Sequence, residues 1–273
     1  MIWIGTAGFA YAHWKGSFYP ANTPRQLAYY ARHAAFVEIN STYYQIPSKA
    51  TVQGWDAQTP DSFRFAVKLV RKITHTAQPT LNQSVVDRFF THLKPLDAKL
   101  AIVVCQFPPQ FVRTPVRQRY LNTVLDASQA HFPGKLFVEV RHPSWFTNEV
   151  KDLLDQRGVG FVNTTRWPIP EAFLPADDHY LRLLGDRAAI PDAALGKISL
   201  DKSKDLEQLA ERLEELNEDR RSIWIIINNR FSGHAIQDAI FLARTLRDRG
   251  VAARGFEKPD ALREKQRSLE QFL

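Results

Sequence analysis

Glu38, Lys68, Gln106, Glu139, Arg141, Asn163, Arg182 and Asn228 share one placement: each lies within or closes a short apolar run. Carboxylates in such places can take and return a proton. A lysine offers an anion a point charge, and an arginine offers phosphate or carboxylate a two-pronged donor. The amides suit the hydroxyls of a polyol or sugar. Three cations against two carboxylates leave an excess of positive charge, so the chemistry indicated is recognition of a small anionic, hydroxylated compound. Glu38 or Glu139 would then be the catalytic acid/base, provided burial adjusts its proton affinity.

Elements that position such residues are visible as repeated runs: Trp3-Ile4-Gly5-Thr6, then 36–40, 63–68, 100–106, 136–141, 159–163, 180–184 and 223–229, with helical sequence between them. Eight strand-then-helix units in about 250 residues predict an α/β fold, a (β/α)8 TIM barrel, spanning 1–273 as a single domain. Strands of that barrel aim their C-terminal ends at one face, so Thr6, Asn40, Lys68, Gln106, Arg141, Asn163 and Asn228 are expected together there. Residues two apart on a strand share a face, which pairs Glu38 with Asn40 and Glu139 with Arg141. The rival is an open doubly wound sheet, but no G-x-G-x-x-G or Walker A motif follows any run.

Thr23-Pro24-Arg25-Gln26 reads as the capped start of a helix running to His33. Further helices are expected over 51–58, 82–93, 115–129, 147–157, 201–216 and 233–249, with Gly158 and Gly250 closing two of them. Pro168, Pro170 and Pro175 leave room for a turn at most, and 185–200 forms a second long loop of the kind that carries binding functions.

The chain has 273 residues, 44% hydrophobic and 24% charged. No Ser/Gly-rich linker, basic-then-apolar leader pattern or apolar run of about 18 residues is present, so a cytoplasmic protein without a membrane partner is expected. Cys105 is the single cysteine; it can form no internal disulfide and reads as a buried thiol. The net charge of +7 is uneven: residues 1–150 carry 16 Lys/Arg against 8 Asp/Glu, and 151–273 carry 20 against 21. An electropositive half favours anionic ligands. The clusters Arg64, Arg71, Lys72 and Arg113, Arg117, Arg119 are too sparse to be basic arms, so nucleic acid is expected to bind weakly and non-specifically at most. Oligomeric state is left open.

Several motifs resemble those of one family. They are Ile4-Gly5-Thr6-Ala7-Gly8-Phe9, His13-Trp14, Phe18-Tyr19-Pro20, Val37-Glu38-Ile39-Asn40-Ser41-Thr42-Tyr43-Tyr44, and Phe65-Ala66-Val67-Lys68 with Thr74-His75. Gln106-Phe107-Pro108-Pro109, Val138-Glu139-Val140-Arg141-His142-Pro143-Ser144-Trp145 and Asn228-Asn229 complete the set. Together they resemble the YecE-like family, domain of unknown function 72, over nearly the whole chain. The resemblance implies a TIM barrel and little biochemistry. Two departures stand out: Asn163 where the family commonly has Asp, and Arg182-Leu183-Leu184-Gly185 where it commonly reads Arg-x-His-Gly. An acid/base or metal ligand at either place would be missing.

Metal ligands would have to come from Glu38, Glu139, His75 and His142, but Lys68 and Arg141 sit among them and no H-x-x-x-H or C-x-x-C spacing occurs. No metal and no cofactor is expected, and no serine nucleophile elbow or Cys–His pair is recognisable. Aromatics at the run ends can stack on a ligand. Tyr11, Tyr44 and Trp145 are expected to do so, whereas Trp14, Tyr43, Phe146 and Trp167 are as readily barrel plugs. His75, His142 and Asn229 complete the expected substrate-binding set. Three readings follow: an enzyme on a phosphorylated or acidic sugar-like compound, a phosphodiesterase-like barrel directed at nucleic acid, or a non-catalytic ligand-binding barrel. Against all three stands a self-satisfied ion network of Glu38 and Glu139 with Lys68, Arg141 and Arg182. If Arg141 faces a solvated pocket, as expected here, Arg141→Ala should change stability by less than about 1 kcal/mol.

Overall fold

The computed structural model describes residues 1–166, 168, 170–171, 178–217 and 222–257. In chain order the elements are β1 (Ile2–Ala7), α1 (Gln26–His33), β2 (Phe36–Ile39), α2 (Ser41–Tyr44), α3 (Lys49–Ala57), β3 (Arg64–Lys68), α4 (Arg71–Thr74), α5 (Gln83–Leu93) and β4 (Leu100–Gln106). Then follow α6 (Pro115–His131), β5 (Lys135–Glu139), α7 (Asn148–Gln156), β6 (Gly160–Thr164), β7 (His179–Leu183), α8 (Ser203–Asn217), β8 (Ile223–Ile227), α9 (Ala235–Asp248) and β9 (Ala253–Arg254). The sheet order is β2-β3-β4-β5-β6-β7-β8-β1, and β1 pairs in turn with β2, so eight strands close into a (β/α)8 barrel; β9 adds to β1. Strands buried on both faces must be apolar along their whole length, and β8, Ile-Trp-Ile-Ile-Ile, is buried at every position.

Helix starts are set by local caps. Ser48, Thr114 and Thr147 each accept a hydrogen bond from the amide three residues on, which satisfies a donor the helix cannot. Helix α1 departs from its expected start: it begins at Gln26, and the Thr23 hydroxyl donates to Pro20 O instead of capping. The run ends also shorten. Asn40 has left β2 and adopts helical angles ahead of α2, so it does not share a strand face with Glu38. Arg141 and Asn228 likewise lie just beyond β5 and β8.

Contacts gather in two compact parts, 1–37 with 182–273, and 38–181. In the first part, β1 and β8 run parallel from Ile2 opposite Ile223 to Thr6 opposite Ile227. The rings of Trp3 and Trp224 stack at 4.8 Å, and the Arg254 guanidinium covers Trp3 at 4.9 Å. Gly5 is required by a close approach: a Cβ there would lie 2.4 Å from Phe36 O. In the second part, β3, β4 and β5 pair in parallel, with Lys68 opposite Val104 and Gln106 opposite Glu139. Phe107, Phe111 and Trp145 stack in series at 4.3 and 5.0 Å. Cys105 is buried, and burial pushes its thiol up to about 12, which makes it inert. No helix among the described residues is long and apolar enough to cross a membrane.

Candidate functional site

Within 38–181 the C-terminal ends of β3, β4 and β5 carry one continuous polar chain. Lys68 Nζ donates to Gln106 Oε1 at 3.2 Å, and Gln106 Nε2 donates to Glu139 Oε1 at 2.6 Å. Arg141 places Nε at 2.8 Å and Nη2 at 2.7 Å from that same carboxylate oxygen. The glutamine can point only one way: its carbonyl must face the ammonium and its amide N–H the carboxylate. Glu139 is 1% exposed, and Lys68 and Gln106 are each 7% exposed. A buried carboxylate is tolerable when paired and hydrogen-bonded, and three donors on one oxygen meet that condition. The Thr42 hydroxyl, one helical turn past β2, holds the end of β3 by donating to Lys68 O at 2.8 Å and accepting from Lys68 N at 3.1 Å.

His75 closes this group. Its imidazole is pushed down to about 4, first by burial and then by Arg141, Arg71 and Lys68, with Glu139 alone acting the other way. Burial, reinforced by the neighbouring cations, keeps the ring neutral at physiological pH. Nδ1 lies 2.9 Å from the Thr74 hydroxyl, and the Tyr43 ring meets the imidazole edge-on at 5.0 Å. Tyr43 feels Arg71 and Arg141 as well, although burial raises its phenol overall.

The other expected residues of this part divide. Glu38 is fully buried, and its Oε2 accepts from the Tyr180 hydroxyl at 2.8 Å. Asn163 is half-buried in β6, and Tyr44, the last residue of α2, is 69% exposed. Trp145 does not face a ligand: it is fully buried, with Nε1 donating to Phe111 O at 2.5 Å. His142 is a cap; its Nδ1 accepts from Ser144 N at 3.2 Å and lies 2.8 Å from the Ser144 hydroxyl. Gln106 has both ends of its amide committed to ionic neighbours, so it organises charge where hydroxyl reading was expected. Trp167 lies outside the described residues.

In the part formed by 1–37 and 182–273, Thr6 is fully buried and turned to Tyr30: its amide donates to the phenol oxygen at 3.1 Å and its hydroxyl to Gly8 O at 2.7 Å. Tyr11 donates its hydroxyl to Ala7 O and packs on Trp14 at 4.8 Å. Asn229 Oδ1 accepts from Trp14 Nε1 at 2.9 Å and Ala235 N at 3.2 Å, and Asn228 Oδ1 from Arg230 N at 2.9 Å. Both asparagines therefore shape the turn after β8. Arg182 is buried in β7. Gly185 lets the next loop pass, since a Cβ there would fall 1.5 Å from Arg230 O.

Sequence reasoning missed Thr42, Tyr43, Arg71 and Tyr180, whose roles depend on partners distant in the chain. It also missed Lys99 at the opposite end of β4, where Nζ donates to Asp56 O and Thr59 O, each at 2.9 Å, and pairs with Asp56 Oδ1 at 2.7 Å. That lysine is structural, and the contrast with Lys68 is instructive. A buried Ser232–Asp238 pair beside His234 was likewise unforeseen: burial raises Asp238 to about 7 and lowers His234 to about 4. Among the described residues no three His, Cys, Asp or Glu side chains gather as metal ligands would.

Comparison with known proteins adds the following. The family described as "Protein of unknown function DUF72" matches residues 3–263. The YecE protein of Escherichia coli K12 is 32% identical over 177 residues, 63% of this chain and 62% of its own length. YunF of Bacillus subtilis 168 is 31% identical over 54% of this chain and 53% of its own. The matched segments thus span less than two thirds of either relative. Among solved structures, a DUF72 family protein of Enterococcus faecalis V583 superposes with TM-score 0.75 at 20% identity, covering 95% of this chain and 99% of that one. A DUF72 family protein of Thermotoga maritima MSB8 gives 0.74 at 26% identity, covering 90% and 99%.

Proposed function

This chain belongs to the DUF72 family, and on that footing we propose that it binds a small anionic, hydroxylated compound at the ends of β3, β4 and β5. We propose further that it acts on this compound as an enzyme, the substrate class being a phosphorylated or acidic sugar-like molecule. The observation that carries this reading is the continuous polar chain at the strand ends, Lys68 to Gln106 to Glu139 to Arg141, with the Arg141 and Lys68 cations acting on His75 beside it. A neutral imidazole among excess cations is a place where an anion is stabilised and a proton can be exchanged. Lys68 and Arg141 form the anion clamp. His75 is the proton carrier, with Glu38 the other acid/base candidate. Glu139, its Oε1 already holding three donors, aims Arg141 and does not itself carry the proton.

The same saturation of Glu139 favours a second reading, a barrel that binds such a compound without transforming it. Nucleic acid in either case binds weakly and loses affinity steeply with salt.

The test is a sulfate titration followed by NMR at the His75 ring and by calorimetry. A bound anion stabilises the imidazolium, so the His75 pKa should rise from about 4, and Lys68→Met should abolish both the shift and the heat. An unmoved His75 resonance with no heat at millimolar sulfate would sink the anion site. A thermal-shift screen of phosphorylated metabolites, followed by product analysis of any hit, separates enzyme from binding barrel.

A further inference from the structure

A groove of about 400 Å³ lies on the surface of 38–181, lined in part by Tyr44, Ile46, Ser48, Lys72, Arg88 and His92. Its volume falls in the range of small-ligand pockets. Its chemistry is lopsided: among the described residues two cations and a histidine line it, and no carboxylate does. Lys72 and Arg88 are exposed and make no hydrogen bond or ion pair with any described residue. Among the described residues some surface cations are answered, Arg113 by Glu149, Lys151 by Asp155 and Arg157 by Asp126, and others such as Lys94 and Arg119 are not; what distinguishes Lys72 and Arg88 is that both line one groove with an exposed aromatic ring. His92 is anchored through Nδ1, 2.7 Å from Pro47 O, so its ring is fixed in the wall. Tyr44 is 69% exposed, far more than the other tyrosines of this region. Among the described residues only Tyr43, edge-on at 4.9 Å, meets its ring.

An exposed aromatic ring beside unanswered cations matches a ligand with a planar ring and an anionic group. Stacking on an aromatic side chain tolerates any heteroaromatic base, while the lysine and arginine suit a phosphate. We propose that this groove is a binding site for a mononucleotide-type ligand, with the base on Tyr44 and the phosphate between Lys72 and Arg88. It is a site separate from the strand-end cluster: Tyr43 turns to His75 and Tyr44 to the groove. It does not depend on the activity proposed above.

The experiment is calorimetric titration of the full chain with AMP, with adenosine and inorganic phosphate as partial probes. AMP should bind with saturation and more tightly than either part. Tyr44→Ala should weaken it by about tenfold or more, the size of one base–aromatic stack, while Tyr44→Phe retains the affinity. Arg88→Gln should weaken AMP but leave adenosine unchanged. Lys68→Met should leave AMP binding intact, which separates the groove from the strand-end site. Tyr44 and Arg88 are surface positions and Lys68 is buried, and thermal midpoints check that each of the four variants folds. The proposal is overturned by absence of saturable AMP binding at millimolar concentration, by equal affinity in wild type, Tyr44→Ala and Arg88→Gln, or by loss of AMP binding in Lys68→Met alone.

Discussion

Arg141 offers the most demanding test of how the strand-end cluster is held. Its guanidinium puts two N–H groups, at 2.8 and 2.7 Å, on a Glu139 oxygen that also takes Gln106 at 2.6 Å. The Glu139 side chain is 1% exposed and that of Arg141 19%. Arg141→Ala therefore removes two charge-assisted bonds, each worth about 1.5–3 kcal/mol, from a carboxylate that stays buried. Stranding one partner of a buried pair costs about 3–5 kcal/mol. Because the guanidinium is partly exposed, water can enter after its removal, and the lower end, about 3 kcal/mol, is expected. The paired geometry calls for a larger loss than the change of less than about 1 kcal/mol expected from sequence. A second substitution isolates the cause: in Arg141→Ala with Glu139→Gln the stranded charge is gone, and most of the loss should return. Urea denaturation of wild type, both single variants and the double variant measures this directly. Stability of Arg141→Ala within about 1 kcal/mol of wild type, or a double variant no better than the single, would refute the pairing.

Lys99→Met removes a cation held by two carbonyls and Asp56; it should cost about 2 kcal/mol in denaturation while leaving the sulfate response of His75 unchanged. Trp145→Phe keeps the ring stack but loses the bond to Phe111 O, so a loss of about 1 kcal/mol is expected, and any change in ligand affinity would contradict its buried placement. Burial raises Asp238 to about 7, so from about pH 4 to pH 7 the folded chain keeps a proton that the unfolded chain has released. That group makes stability fall with rising pH by up to about 1.4 kcal/mol per unit. His234, lowered to about 4 from 6.5, acts in the opposite sense below pH 6.5. Asp238→Asn should accordingly gain on wild type as pH rises through this window; parallel pH curves for the two proteins would show that Asp238 is ionised when buried.

The strands and their order were legible because hydrophobic runs and helical periodicity are local, and each reads correctly without knowledge of its neighbours. The polar residue past each run was legible too, as Lys68, Gln106 and Glu139 demonstrate. What such a residue does was not, because its partner is chosen by packing. Lys68 meets Gln106 across 38 residues and Gln106 meets Glu139 across 33, and no spacing in the chain announces either pairing. Thr6 ends a run just as Lys68 does, yet Tyr30 captures it; Asn229 follows a strand as Arg141 does, yet Trp14 and the α9 amide capture it. Aromatic residues were least legible of all. Trp145 and Tyr44 both follow strands, and only the presence of Phe111 under one ring and of open solvent over the other decides that the first packs and the second stays exposed.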